Sequence, residues 1–285
     1  PGGFGNHPGM HFPKYLAHGT HGRCASWGWS DGSQAEAAIR AAERATEAAA
    51  RAAEGERLPR RHWYSESPMR EPVLSELPDP SGRPAAVVSR NSYGCEVLNT
   101  ARVMFVDIDL AGTPVPLAAR IKRLFGGAEP GNPAEDGAIA KVAAWTKGHR
   151  DWGFRVYRTK AGLRLMATHG PFDPVGAEIG AVFDAVGADP LYQRLCVVQG
   201  CFRARLTPKP WRCGHRAPRV RWPWADATVE GRFREWNDAY RKRAAGYATC
   251  AFIMTIGNPH VDRDIHPVVK LHDEATRAGA KLPLA

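Results

Sequence analysis

The segment RVMFVDIDL, residues 102–110, constrains the fold most, because an apolar run suited to a buried strand carries two carboxylates. Side chains alternate between the two faces of a strand, so Asp107 and Asp109 would project from the same face. Two like charges at the end of a buried strand repel each other, and a divalent cation or a nearby arginine relieves that repulsion. The pattern favours a pair of ligands for Mg²⁺ or Mn²⁺. The alternative is that the aspartates cap a neighbouring segment or pair with arginines.

A second segment, residues 192–222, is strongly basic and contains no acidic residue. Arginines gathered in this way repel one another, so we expect the segment to face a negatively charged partner. Aromatic side chains between the arginines offer surfaces for stacking bases, as single-stranded nucleic-acid sites do. A solvated basic face, or salt bridges to acids elsewhere, would explain the same composition. The candidate phosphate ligands are Arg203, Arg205 and Lys209, and the candidate nucleic-acid contacts are Trp211, Arg212, Arg219 and Arg221.

The sequence FRVYRTKAGLRLMATH, residues 154–169, predicts two strands joined by a turn that contains Gly162. Backbone amides and a cation at such a turn could reach a triphosphate, or the glycine could serve the turn alone. His169, at the end of the second strand, is a candidate for nucleotide binding or for a structural role. The candidate phosphate ligands at this hairpin are Thr159, Lys160 and Arg164.

Composition narrows the class of protein. No stretch approaches the roughly 20 apolar residues of a membrane span, so we expect no membrane contact. Six cysteines are too few and too spread for a disulfide framework, which favours a cytoplasmic protein. The net charge of +10 agrees with a polyanionic partner.

A zinc site is a further possibility in the basic segment, with Cys196, Cys201, Cys213 and His215 as the ligands. Their spacing lacks the tight pairs of structural zinc sites.

The chain divides into three stretches that differ in composition and in predicted secondary structure. Residues 1–14 are rich in Gly, Pro and His without periodicity, which is typical of a flexible arm. Residues 15–80 predict an N-terminal strand-helix unit and a linker, with Ser33 and Glu36 forming a capping box. Residues 81–285 mix strands and helices without regular alternation, which indicates an α+β domain. Helices are predicted over residues 115–125, 134–147, 175–186, 232–245 and 268–278.

The order of these elements resembles the archaeo-eukaryotic primase, or primase-polymerase, superfamily. In that family a strand ending in DxD precedes a Ser/Thr-Gly hairpin with a basic nucleotide ligand, then a further acid and a basic segment. FVDIDL, RTKAGLRLM and ADPLYQRLCVVQGCFRARLTPKPW match these motifs in order, over roughly residues 86–215. The resemblance implies a mixed sheet with a primase-like, RRM-like catalytic core. It also implies metal-dependent nucleotidyl transfer, with nucleic acid and nucleoside triphosphates as partners.

The resemblance also assigns roles to individual residues. Asp107, Asp109 and Asp189 would be the catalytic metal ligands, and Arg164 would contact the phosphates of the incoming nucleotide. The family usually has a histidine where Arg164 stands. Asp173 or Asp184 could replace Asp189 as the third acid.

Two other functions are compatible with the same residues. VMFVDIDLAGT also resembles the opening motif of haloacid-dehalogenase-type phosphatases, in which the first aspartate is the nucleophile and the second an acid/base. Asp262 and Asp264 form the late acidic pair available to that interpretation. The third possibility is a non-catalytic nucleic-acid-binding module with structural aspartates.

Overall fold

The computed structural model describes residues 10–56, 68–79, 82, 84–110 and 132–285. Within these residues there are six α-helices, one short 3₁₀ helix and ten strands in three sheets. The predicted α+β class is confirmed. The sheet differs from the predicted mixed one, because every pairing between named strands in the described residues is antiparallel. The helix predicted over 115–125 lies outside the described residues.

The N-terminal unit is a β-hairpin covered by one helix. The elements are β1 (Tyr15–His21), β2 (Cys24–Ser30) and α1 (Gln34–Ala53). The helix begins where the sequence predicts, since Ser33 Oγ accepts a hydrogen bond from the Glu36 backbone N–H at 3.1 Å. The Glu36 carboxylate accepts from Ser30 Oγ at 2.5 Å, and the Ser33 N–H donates to Ser30 Oγ as well. Glu36 therefore binds the end of β2 and not the Ser33 N–H that a capping box would use. Gly28 lets the helix approach closely, because a Cβ there would clash with the backbone of Ala41.

Four antiparallel strands form what we call the flanking sheet. They are β3 (Val73–Pro78), β4 (Pro84–Arg90), β5 (Glu96–Thr100) and β9 (Phe202–Arg205). Their spatial order is β3-β4-β5-β9. One face is apolar and joins the main hydrophobic core through side chains such as Leu98 and Phe202. The other face carries polar side chains as well as a small apolar cluster around Val87 and Cys201.

Two N-terminal stretches pack against this sheet, although the sequence predicted an arm and a linker there. Met10 and Phe12 are buried with Met69 against Val87. Strand β3 lies within the range assigned to the linker and pairs with β4. Burial of apolar side chains accounts for the position of residues 10–12, since a fully buried Met or Phe side chain contributes roughly 1.5–3 kcal/mol.

The second four-stranded sheet, which we call the central sheet, carries the predicted aspartate strand. Its strands are β6 (Phe105–Asp109), β7 (Gly153–Thr159), β8 (Gly162–Ala167) and β10 (Cys250–Gly257), in the order β10-β7-β8-β6. The predicted hairpin is confirmed as β7 and β8. Helices α2 (Pro133–Gly148) and α6 (His266–Thr276) contribute Val142 and Val268 to the core shared with the sheet.

The remaining helices follow β8 in the chain and precede β10, on either side of β9. They are α3 (Ala177–Val186), α4 (Pro190–Gln199), the 3₁₀ helix (Pro210–Cys213) and α5 (Ala227–Ala244). The sequence predicted α2, α3, α5 and α6 with shifts at their ends, and it missed α4. None of the helices in the described part of the chain combines the length and the apolar character that a membrane crossing requires.

Candidate anion-binding site beside an aspartate pair

An ion pair between neighbouring strands forms the floor of the site. Asp107 of β6 lies opposite Arg164 of β8. The Arg164 Nε donates to Asp107 Oδ1 at 2.8 Å, and Nη2 donates to Oδ2 at 3.3 Å. Arg164 is only 1% exposed, whereas the Asp107 side chain is 36% exposed. Burial on its own lowers the pKa of Arg164, but the Asp107 carboxylate outweighs it and raises that pKa, so the guanidinium stays charged.

The second aspartate lies at the open end of the same strand. Asp109 is exposed and lies opposite Gly162, the first residue of β8. A Cβ at Gly162 would clash with the carbonyl oxygen of Ile108, so a glycine is needed for the hairpin to approach β6 closely. Thr159 Oγ1 accepts a hydrogen bond from the Gly162 N–H at 3.1 Å, and Lys160 is exposed. The turn therefore places Thr159 and Lys160 at the Asp109 end of the sheet.

Two further cations, Arg205 and Lys209, lie close to this aspartate pair, and Arg212 lies close to both of them. Burial lowers the pKa of Arg205, and repulsion from Arg164 and Arg212 lowers it further. Burial also lowers the pKa of Lys209, together with repulsion from Arg205 and Arg212. The charges of Asp107 and Asp109 act in the opposite direction on Arg205 and Lys209 respectively. Among the described residues, none of the three cations forms a salt bridge, and the buried Arg205 Nε has no hydrogen-bond partner. Such a cluster attracts an anion.

Asp189, the predicted third metal ligand, approaches Asp107 through its backbone. The Asp189 N–H donates to the Asp107 carbonyl at 2.8 Å. Its carboxylate accepts from the Leu191 N–H at 2.9 Å and so caps α4. Asp173 and Asp184, the alternatives, accept from the Val175 N–H and from Gln193 Nε2. The part of the chain that the structure describes contains no group of three or more His, Cys, Asp or Glu side chains arranged to hold a metal.

His169 lies at the opposite end of the central sheet. Its Nδ1 accepts from the Gly153 N–H at 3.2 Å, and its ring packs on Trp152 and Phe172. It lies five positions after Arg164 in the chain, which corresponds to about 16–17 Å at the rise of an extended chain. Burial lowers the pKa of His169. The structure therefore does not bring this histidine to the aspartate pair.

Arg203, another predicted phosphate ligand, belongs to a buried polar network. Its Nη2 donates to both carboxylate oxygens of Glu71 at 2.7 and 2.6 Å, and Nη1 donates to Gln199 Oε1 at 2.8 Å. Glu71 also accepts from Ser89 Oγ at 2.5 Å, and Ser89 Oγ accepts from Asn99 Nδ2 at 2.9 Å. The contacts of Arg203 are those of a structural residue.

The four residues considered for zinc do not converge on one site in the part of the chain that the structure describes. Cys196, Cys201 and Cys213 lie in three different hydrophobic clusters. His215 packs on the rings of Trp236 and Tyr240. Burial raises the pKa of each of the three thiols, which suits inert core cysteines. The late acidic pair is also remote, since the Asp262 N–H binds the Thr168 carbonyl, beside His169.

The predicted nucleic-acid contacts differ in their surroundings. Trp211 is 49% exposed at the 3₁₀ helix, and Arg212 follows it. Arg219 and Arg221 are exposed in the segment before α5.

Sequence reasoning missed a partly buried network on the same face as Arg164. Asp273 of α6 accepts from Arg155 Nη2 at 2.6 Å and from Tyr157 Oη at 2.7 Å. His272 Nδ1 lies 3.0 Å from Asp273 Oδ1, and its Nε2 lies 4.0 Å from Cys250 Sγ. A carboxylate only accepts, so His272 Nδ1 carries the hydrogen. The sequence does contain one signal for this network, because Arg155 and Tyr157 are two residues apart on β7 and therefore lie on the same face of the strand.

We expect His272→Gln to flatten the loss of stability on acidification. Burial lowers the pKa of His272 to about 4, against about 6.5 in an unfolded chain. Between these pH values the unfolded chain binds the proton and the folded chain does not, so stability falls as the pH drops through that window. The contribution is roughly 3 kcal/mol. Urea unfolding at several pH values measures it, with the exposed His260→Gln as control. Parallel pH profiles for the parent and His272→Gln would refute this assignment.

No family model, curated protein or solved structure matches this chain. Geometry alone therefore defines the site. It is a basic cluster beside an aspartate pair, at the end of an antiparallel sheet.

Proposed function

We propose that the protein performs metal-dependent nucleotidyl transfer on nucleotides or nucleic acid. One observation carries the proposal: the carboxylates of Asp107 and Asp109 share a strand face beside cations that form no salt bridge to other described residues. A carboxylate pair suits a hard divalent cation, and the cations suit phosphates. The residues of the proposed site are Asp107, Asp109, Arg164, Arg205, Lys209 and Arg212.

The two aspartates fit Mg²⁺ or Mn²⁺ that arrives with its nucleotide. Mg²⁺ is commonly held by one or two carboxylates, with substrate phosphates and water completing its shell. Arg164 donates one hydrogen bond to each oxygen of Asp107, and a carboxylate oxygen has capacity for more than one contact. When bound, such an ion lowers the pKa of an attacking hydroxyl and neutralises phosphate charge.

The basic residues would hold the triphosphate. Arg205 and Lys209 are partly buried, so their charges are screened less than those of surface residues. A bound phosphate would stabilise the protonated form of Lys209, whose pKa is lowered by burial and by its basic neighbours. Lys160, at the hairpin turn, adds a cation near Asp109. All six cysteines are free thiols, which agrees with a reducing compartment, and we place this activity in the cytoplasm.

A non-catalytic nucleic-acid-binding module is the second candidate. It is favoured by the Asp107–Arg164 ion pair, because the arginine already neutralises one of the two proposed metal ligands. The use of the Asp189 carboxylate as a helix cap favours it as well. In this case Asp109 would be a surface acid without a metal.

Calorimetric titration with Mn²⁺, in the presence of a non-hydrolysable nucleoside triphosphate, tests the proposal. We expect Mn²⁺ to bind the parent, and Asp109→Asn to weaken that binding at least tenfold, because a neutral amide replaces one of two ionised ligands. Asp109 is exposed, so this variant keeps its fold.

Asp151→Asn is the matched control, since Asp151 is an exposed acid in the turn before β7, at the other end of the sheet. It should bind Mn²⁺ like the parent. Nucleotide binding without any Mn²⁺ binding in the parent would overturn nucleotidyl transfer and leave the non-catalytic module.

A further inference from the structure

The exposure of Trp211 is unusual for a residue on a well-anchored segment. Its ring lies 5.3 Å from that of Tyr93, nearly perpendicular to it, and Lys209 Nζ lies 5.5 Å from its centroid. Half of the side chain is nevertheless open to solvent. Large aromatic side chains that combine exposure with fixed neighbours are typical of binding surfaces.

Helix α5 holds the segment that carries Trp211. Its side chains donate hydrogen bonds to backbone carbonyls on both sides of the tryptophan, at 2.5, 2.8 and 3.1 Å. The donors are Tyr240 Oη, Trp236 Nε1 and Arg243 Nη1, and the acceptors are the carbonyls of Pro208, Arg216 and Gly214 respectively. Because the backbone is already fixed, a ligand that contacts Trp211 would pay little for ordering the segment.

The surroundings of the ring are cationic. Lys209 and Arg212 flank Trp211 in the chain, and Arg216 is exposed on the same anchored segment. The chain contains no acidic residue between Asp189 and Asp226. An exposed aromatic ring bordered by cations complements a ligand with a flat ring and a negative charge on each repeating unit.

We propose that Trp211 is a stacking platform for an unpaired base of a single-stranded nucleic acid. The phosphates beside that base would lie against Lys209 and Arg212, and through them the strand would reach the Asp107 and Asp109 site. The inference rests on the proposed function for that last step only. In a duplex each base is already stacked on its neighbours, so the ring of Trp211 would find no free base face.

Fluorescence anisotropy with labelled strands tests the platform, in the presence of a chelator so that no metal contributes. The probes are an oligothymidylate, an oligouridylate of equal length, an abasic strand of the same length and a DNA duplex. The variants are Trp211→Ala and Trp211→Phe. Phe252→Ala, which removes an exposed aromatic side chain outside the basic segment, is the control.

We expect Trp211→Ala to lower the affinity for the oligothymidylate or the oligouridylate about tenfold, within the range that base stacking contributes. The two strands show whether DNA or RNA is preferred. Trp211→Phe should keep most of the affinity, because a ring remains. Neither variant should change the weaker binding of the abasic strand, whose phosphates remain but whose bases are gone. Phe252→Ala should bind every probe like the parent.

Several results would overturn the platform. One is that Trp211→Ala loses as much affinity for the abasic strand as for the ordinary strands, and another is that it loses affinity for none of the probes. The others are that the parent binds the duplex as tightly as a single strand, or that it binds no probe at all. Unchanged affinity in Trp211→Ala would assign the ring to a protein partner instead. Failure of Mn²⁺ to bind the parent would remove nucleotidyl transfer but leave this chelator-based result standing, so the two proposals fail separately.

Discussion

Replacing Asp107 by alanine should lower the free energy of unfolding by about 3–5 kcal/mol, because it leaves a buried guanidinium without its counter-charge. Arg164 donates two of its hydrogen bonds to Asp107 and one to the carbonyl of Arg205 at 3.0 Å. The destabilisation comes from the unpaired charge of Arg164, because Arg164 is almost fully buried whereas Asp107 is not. Urea unfolding followed by circular dichroism measures the change.

The double variant Asp107→Ala/Arg164→Met is the control for this explanation. It removes both charges and fills the space with an apolar side chain, so it should recover most of the lost stability. Asp151→Ala, at an exposed position, should change stability by no more than about 0.5 kcal/mol. An Asp107→Ala protein as stable as Asp151→Ala would contradict the ion pair as the cause. Lost turnover in an Asp107 variant therefore needs a folding measurement beside it.

Glu71→Ala should be similarly costly, by about 3–5 kcal/mol, because it breaks a buried, hydrogen-bonded charge pair. The side chains of Glu71 and Arg203 are only 12% and 8% exposed. The substitution removes the hydrogen bonds to Glu71 from Arg203 and from Ser89. Thermal and urea unfolding both report the loss.

Glu76→Ala is the matched control, since Glu76 is an exposed acid on β3 a few residues away. It should stay within about 0.5 kcal/mol of the parent. If Glu71→Ala were no more destabilising than Glu76→Ala, Arg203 would not depend on this pair, and its role as a phosphate ligand would return. If the large loss is found, the basic segment contains at least one arginine that serves the fold.

Local signals explain which elements could be predicted from the sequence. Ser33 caps α1 because its side chain meets an N–H three residues away, and the β7–β8 hairpin forms around a turn that the chain itself encodes. The strand position of Asp107 and Asp109 followed from apolar residues on both sides. Helix α4 was missed, although Asp189 before Pro190 is a helix-start signal.

Long-range partners explain what the sequence could not reveal. Arg203 and Arg205 are two residues apart on one strand, and pattern reasoning gave them the same role. Their difference depends on Glu71, which lies 132 residues before Arg203 and has no motif that links it to β9. The match of Asp107 with Arg164 likewise depends on strand register, which is set by turn geometry and buried faces together.

The strand order of the flanking sheet has a consequence for biosynthesis. Its fourth strand, β9, pairs with β5 only after the chain has passed through three of the four central strands. About a hundred residues are therefore synthesised between β5 and β9. During that time the edge of β5 that will bind β9 has no neighbouring strand. An unpaired strand edge is a template for other chains, so the nascent protein is most exposed to misassembly while the central strands are still being synthesised.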